Sequence, residues 1–192
     1  MTVRVGINGF GRIGRNILRA IIENKRKDIS VVAINDLGPV ETNAHLLKYD
    51  SIHGKFPNKI DVDNNTIDAG TGPIKVTALK NPEDLPWNDV DIAFECTGIF
   101  NEKETASRHL KNGSKKVLVS APCKDADKTI VFGVNHQTLT ENDFVVSNAS
   151  CTTNCLTPVV KVLHEKLGII RGFMTTVHSY TGDQPTLDTM HS

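Results

Sequence analysis

Long apolar runs are missing from this sequence. The longest hold about four or five residues, far below the roughly 18 that a membrane-spanning helix requires. No apolar signal-peptide core follows Met1, so no membrane is expected as a partner and the expected compartment is the cytoplasm. Aromatic residues are scarce at 5%, yet 39% hydrophobic against 23% charged residues excludes a disordered, collagenous or coiled-coil chain and implies a globular core. Net charge is absent as well: 22 Lys+Arg balance 22 Asp+Glu, so no overall field favours nucleic acid, which is not expected as a partner. The balance hides a basic start, because residues 1–27 carry seven Lys/Arg against Glu23 alone. That segment lacks the serines of a transit peptide, and its glycines fall where a folded turn needs them. Cysteine is sparse too. Cys96, Cys123, Cys151 and Cys155 are too few for a disulfide scaffold and form no Cys-x-x-Cys pair, so reduced thiols and no metal site are expected.

What is present is an alternation of strand-like and helix-like segments over 192 residues, more than one average domain and less than two. Val3 to Asn8 alternates with period two and ends in a glycine cluster. A helical stripe of Ile13, Ile17, Leu18, Ile21 and Ile22 follows, with the arginines expected on its other faces. Ser30 to Asn35 is a β-branched run that delivers Asp36 at its end. Further strands are predicted at Ile74–Ala78, Asp91–Cys96, Lys115–Ser120, Thr129–Phe132 and Phe144–Ser147, with helices at Val40–Tyr49 and Glu102–Lys111. This order predicts an α/β fold with a Rossmann-like, doubly wound parallel sheet over residues 1–149. The Asp-, Asn- and Gly-rich interval from Gly54 to Pro73 reads as a hairpin insertion outside the main sheet. From residue 150 the texture changes: a helix at Thr152–Leu167, a long strand at Ile169–Ser179 and a polar, turn-rich end mark the beginning of a second, α+β domain over residues 150–192.

Three constellations carry chemistry. Gly9-x-Gly11-x-x-Gly14 lies between a predicted strand and a predicted helix, where glycines let backbone amides approach a pyrophosphate at the helix N-terminus; an ordinary turn is the plainer reading of the glycines alone. Asp36, 22 residues after Gly14, suits a ribose 2′-hydroxyl acceptor, and no Lys or Arg before Lys48 welcomes a 2′-phosphate, so NAD is expected over NADP; a turn or N-cap aspartate is the other reading. Cys151 opens a predicted helix among Ser150, Thr152, Thr153 and Asn154, where amide dipoles stabilise a thiolate. A lone cysteine is commonly a small buried apolar residue, and Cys155, Cys96 and Cys123 fit that description better. His178 ends a predicted strand before a Gly/Pro loop and suits a partner for Cys151, although most of the seven histidines must be surface or core residues. Asp183 and Asp188 read as solvated loop charges.

Ile7–Arg15, Ala33–Asp36, Ser147–Cys155 and Thr175–Gln184 together resemble the phosphorylating, bacterial-type glyceraldehyde-3-phosphate dehydrogenase family, over Met1 to about His191. The resemblance implies NAD-dependent phosphorylating oxidation of glyceraldehyde 3-phosphate through a Cys151 thioester, with His178 as base. It places Gly9, Phe10, Gly11, Arg12 and Ile13 at the cofactor pyrophosphate, Asp36 at the adenosine ribose, Lys80 near the adenine, and Thr97, Gly98 and Ser120 on the nicotinamide side. Ser150, Thr152 and Thr181 become phosphate-site residues, with glyceraldehyde 3-phosphate and inorganic phosphate as partners. A homotetramer is implied for the full-length protein. Family members run past this length, so the 192-residue chain itself is expected to be inactive. Erythrose-4-phosphate dehydrogenase and a non-catalytic NAD-binding fragment are the alternatives.

Overall fold

Strand β1 (Val3–Asn8) is central because its apolar residues are hidden: Val5 is 1% and Ile7 0% exposed in the computed structural model, which describes residues 2–181. Chain order then gives α1 (Arg12–Glu23), β2 (Ile29–Asn35), α2 (Val40–Lys48) and a two-stranded ribbon of β3 (Tyr49–Asp50) and β4 (Gly54–Lys55). It continues through β5 (Asp61–Asp63), β6 (Thr66–Asp68), β7 (Pro73–Thr77), β8 (Ile92–Glu95) and α3 (Lys103–Ala106), which runs on as a 3₁₀ turn over Ser107–Asn112. Strands β9 (Lys116–Val119), β10 (Lys128–Thr129) and β11 (Val145–Ser147) precede α4 (Cys151–Leu167).

The main sheet has the order β10-β11-β9-β8-β1-β2-β7-β6-β5. Pairing is parallel from β10 through β7, which makes the Rossmann-like expectation good, and antiparallel at β7–β6 and β6–β5. Sequential connections run outward from β1 to β2 and β7 on one side, and to β8, β9 and β11 on the other. The order therefore reverses between β1 and β8, and this switch point opens a crevice at the strands' carboxyl ends. One apolar cluster joins Ile7, Leu18, Ile34, Leu47 and Ile74; a second joins Trp87, Val90 and Ala93; a third joins Ala106, Val117 and Val145.

Four expectations need correction. The hairpin between Gly54 and Pro73 is not outside the sheet, because β6 pairs with β7 and extends it. The arginines of α1 are not all on its outer faces: Arg15 and Arg19 are 2% and 4% exposed, whereas Ile13 is 52% exposed. Burial is tolerated because Arg15 Nη1 donates to Phe10 O at 2.9 Å, and Arg19 Nη1 donates to Gly54 O at 2.9 Å. The predicted strand at Ile169–Ser179 has no regular structure, since no described strand offers its backbone a ladder partner. Helix Glu102–Lys111 is α-helical only to Ala106 and tightens to 3₁₀ before Gly113, whose φ of 103° ends it.

Candidate functional site

The switch-point crevice is built from strand ends that only certain residues permit. Gly9 has φ 87°, and a Cβ there would sit 2.7 Å from the Thr97 amide nitrogen; a Cβ on Gly14 would sit 2.2 Å from Gly9 O. Both positions require glycine because the β1 turn lies against the β8 turn on one side and against α1 on the other. Gly11 differs. Nothing lies within 4 Å of a Cβ placed there, so open space adjoins the start of α1, which no side chain caps. First-turn amides of a helix carry the positive end of its dipole and favour an anion. Arg12, half-buried, reaches across to Asp50 with Nη1–Oδ2 at 3.4 Å, and exposed Ile13 gives the same helix end an apolar surface.

Asp36 follows β2 and clamps the turn. Its Oδ2 accepts the Phe10 N–H at 2.8 Å and its Oδ1 accepts the Gly38 N–H at 2.9 Å and Asn43 Nδ2 at 3.4 Å, leaving a lone pair on Oδ2 for a hydroxyl. Lys80 is exposed beyond β7, next to Leu79. On the other half of the crevice, Thr97 is half-buried, Gly98 turns with φ 73°, and the Ser120 N–H donates to Glu95 O at 3.0 Å. Ser120 also hydrogen-bonds the Cys96 thiol, which burial pushes up to about 12 and so keeps protonated near neutral pH. The structure thus gathers Gly9, Phe10, Gly11, Arg12, Ile13, Asp36, Thr97, Gly98 and Ser120 at the carboxyl ends of four neighbouring strands.

The second constellation sits where β11 turns into α4. Ala149 has φ 57°, a left-handed conformation uncommon for a residue with a Cβ, and its N–H is held by the Ser147 hydroxyl at 3.1 Å. This turn delivers Ser150 as N-cap: its Oγ accepts the Thr153 N–H at 3.0 Å, and it also lies 3.0 Å from Thr152 Oγ1. Cys151 is therefore the first residue of α4, one residue earlier than predicted, and is solvent-exposed. Its Sγ lies 3.2 Å from His178 Nε2, while His178 Nδ1 donates to Ser179 O at 2.6 Å. The Ser179 carbonyl anchors one ring nitrogen and aims the other at sulfur, so no strand is needed to bring the pair together. His178, helped by the Thr152 amide, pulls the Cys151 thiol below its usual range. The Ser179 carbonyl and then the Cys151 sulfur raise His178 above the ordinary imidazole value. Both shifts favour a thiolate beside an imidazolium.

Cys123 fits the buried description, and burial pushes its thiol up. Cys155 does not: it is exposed, because α4 buries none of its residues. A cleft of about 640 Å³, lined by Pro122, Cys123, Thr129, Ser147, Ser150 and Thr153 among others, opens beside the helix start. Thr181 is exposed at the end of the described segment; Asp183 and Asp188 lie outside it. Sequence reasoning missed Ala149 and the buried Glu95 that holds Thr97, with Asn8 and Asn35 beside it; polar residues ending apolar strands were the available signal.

Known proteins match this chain along its length. Residues 3–103 match the family model for the glyceraldehyde 3-phosphate dehydrogenase NAD binding domain, and residues 150–192 match that for its C-terminal domain. The chain is 71% identical over its whole length to glyceraldehyde-3-phosphate dehydrogenase of Cereibacter sphaeroides, 66% to that of Xanthobacter flavus and 54% to that of Geobacillus stearothermophilus. It spans 57%, 58% and 57% of those proteins, respectively. NAD is the cofactor of the matched domain, and the residues fit it: the open face at Gly11 leaves room for a pyrophosphate, and Asp36 keeps acceptor capacity for a ribose. The chain belongs to the glyceraldehyde-3-phosphate dehydrogenase family.

Proposed function

We propose that this protein serves NAD-dependent, phosphorylating oxidation of glyceraldehyde 3-phosphate to 1,3-bisphosphoglycerate, with residues 1–149 as the nucleotide domain and 150–192 as the beginning of the catalytic domain. The observation that carries it is the Cys151 Sγ to His178 Nε2 contact of 3.2 Å at an exposed helix start. The Cys151 thiolate adds to the aldehyde carbon while the His178 imidazolium gives its Nε2 proton to the new alkoxide, leaving a hemithioacetal whose hydroxyl is held by the Cys151 amide and the now neutral His178. His178 Nε2 takes the hydroxyl proton as the carbon is oxidised to a thioester. NAD, when bound, supplies the hydride acceptor. Inorganic phosphate then attacks the thioester carbonyl, forming the acyl phosphate and returning the thiolate to Cys151.

The hydroxyls of Ser150 and Thr152, 3.0 Å apart at the start of α4, suit phosphate oxygens, and Thr181 joins them in this reading. Gly9, Phe10, Gly11, Arg12 and Ile13 hold the pyrophosphate, Asp36 the ribose and Lys80 the adenine edge; Thr97, Gly98 and Ser120 flank the nicotinamide. Cytoplasmic location and assembly as a homotetramer complete the proposal. No described helix is long and apolar enough to cross a membrane.

That α4 buries none of its residues favours one second reading, an NAD-binding chain without turnover. Absorbance of NADH after mixing the full-length protein with NAD, glyceraldehyde 3-phosphate and phosphate separates them. Formation of NADH that stalls after one turnover without phosphate, and disappears in Cys151→Ser, supports the enzyme; NAD binding with no NADH supports the second reading. Equal or faster turnover of erythrose 4-phosphate without phosphate would assign the chain to erythrose-4-phosphate dehydrogenase instead.

A further inference from the structure

Beneath the crevice, buried polar side chains cross the sheet and take no part in the thiol chemistry. Glu95 ends β8 and is 1% exposed; Asn8, Asn35 and His109 around it are 3%, 4% and 0% exposed. Glu95 Oε2 accepts from Asn8 Nδ2 at 2.7 Å and meets His109 Nε2 at 2.9 Å. Its Oε1 accepts the Thr97 N–H at 2.8 Å and the Thr97 hydroxyl. Thr97 Oγ1 in turn accepts the Ile99 N–H at 3.0 Å, so one carboxylate holds the whole turn after β8.

Each donor's direction is fixed by groups further out. Asn112 Oδ1 accepts from the Ser114 N–H at 3.0 Å and the Ser114 hydroxyl at 2.7 Å, which turns Asn112 Nδ2 toward Pro82 O at 2.8 Å and His109 Nδ1 at 3.4 Å. An amide nitrogen donates, so His109 Nδ1 accepts and Nε2 carries the proton offered to Glu95. Trp87 stacks on the same imidazole, with ring centroids 5.5 Å apart. On the other side, Asn35 Oδ1 accepts from the Thr77 hydroxyl at 2.8 Å and the Leu79 N–H at 2.9 Å, and Asn35 Nδ2 donates to Asn8 Oδ1 at 2.8 Å. That turns Asn8 Nδ2 toward Glu95 Oε2 at 2.7 Å, with His109 Nε2 more distant at 3.5 Å. Four donors thus converge on a side chain that has only acceptors; an amide in its place would set N–H against N–H in either orientation.

We infer that Glu95 is a positioning residue for dinucleotide binding: its carboxylate fixes the Thr97–Ile99 turn against the Gly9 turn and ties it, through Asn8 and Asn35, to the Leu79 segment across the crevice. This rests on the reading of the crevice as an NAD site. In a doubly wound sheet the two nucleotide halves lie on opposite sides of the switch point, and β2 with Asp36 serves the adenosine half. The β8 turn serves the other half. Loosening Glu95 therefore weakens the hold on the nicotinamide half while the Asp36 clamp, made with Phe10 and Gly38, stays intact.

Calorimetric titration of the intact chain with NAD and with ADP-ribose, which lacks the nicotinamide, tests this. Glu95→Gln is expected to lose about tenfold in NAD affinity and less than about twofold in ADP-ribose affinity. Thr97→Val, which leaves the carboxylate its other partners, is expected to show the same selective loss, and Thr97→Ser, which restores the hydroxyl, to recover it. Should Glu95→Gln lose both ligands by unfolding, the Thr97 pair decides: a selective loss in Val recovered in Ser supports the inference, and any other result overturns it. A folded Glu95→Gln with both affinities unchanged, or both lowered equally, overturns it too. Failure of the unaltered chain to bind NAD would overturn the cofactor reading and this inference with it, whereas normal binding with an unshifted ratio would overturn the inference alone.

Discussion

Residues 3–147 and residues 150–181 are held by different means. In the first region Ile7, Ile34 and Ile67 of a nine-stranded sheet, and Leu47 of the helix packed on it, are each 0% exposed. In the second, α4 buries no residue and Ile170 is 97% exposed. Local chemistry is enough to shape the second region: the Ser150 cap starts the helix, Gly168 with φ 73° ends it, and His178 meets Cys151 through a loop. The dinucleotide crevice has no such independence. Its turns are placed by strands that pair far apart in sequence, so the crevice depends on the sheet while the thiol pair depends on a cap and a carbonyl.

The sharpest break of this contrast is in stability. Ile7→Ala removes a fully buried side chain from the central strand and should cost about 2–5 kcal/mol, whereas Val159→Ala on the exposed helix, where the valine is 57% exposed, should stay within about 0.5 kcal/mol. Urea denaturation measures both; a comparable loss for Val159→Ala would mean that α4 is packed in solution. Next come two glycines of one motif. Gly14→Ala places a Cβ 2.2 Å from Gly9 O and should cost about 1–3 kcal/mol, while Gly11→Ala meets nothing within 4 Å and should leave the melting temperature unchanged yet weaken NAD by about tenfold. Unchanged NAD affinity in Gly11→Ala would remove the pyrophosphate from that face. The smallest effect belongs to Asp36→Ala, which leaves the Phe10 and Gly38 amides without their acceptor and removes the carboxylate offered to a ribose. NAD affinity should fall by about fivefold and the preference over NADP should narrow, as titration with both dinucleotides would show. Alkylation of Cys151 should not change in any of these crevice variants.

Elements with strong local signals were legible in the sequence. The period-two run of β1, the glycine turn and the β-branched β2 announce a βαβ unit, and Asp36 and Cys151 stand out by spacing and by neighbours. What depends on distant partners was not. Whether the Gly54–Pro73 hairpin joins the sheet is decided by β6 finding β7, and whether Ile169–Ser179 is a strand is decided by a neighbour it lacks among the described residues. Buried Arg15 and Arg19 broke the amphipathic reading of α1 because backbone carbonyls from Phe10 and Gly54 satisfy them, a compensation no periodicity reveals. Glu95 and His109 were hidden for the same reason: residues 14 apart in sequence become one buried pair only when β8 and the 3₁₀ turn meet beneath the switch point.

The pH profile of iodoacetamide labelling at Cys151 in the intact chain, read by peptide mapping beside Cys155 and compared with His178→Ala, tests the thiolate–imidazolium pair most directly. With its thiol lowered and His178 raised, the pair holds its charged form between the two titrations, so Cys151 should label first, and should do so below the pH at which an ordinary thiol begins to react. His178→Ala should move that onset up toward the ordinary thiol range of about 8.5 and slow labelling at neutral pH. Labelling of Cys96, Cys123 or Cys155 ahead of Cys151, or a Cys151 profile indifferent to His178, would contradict the assignment of Cys151 as the nucleophile.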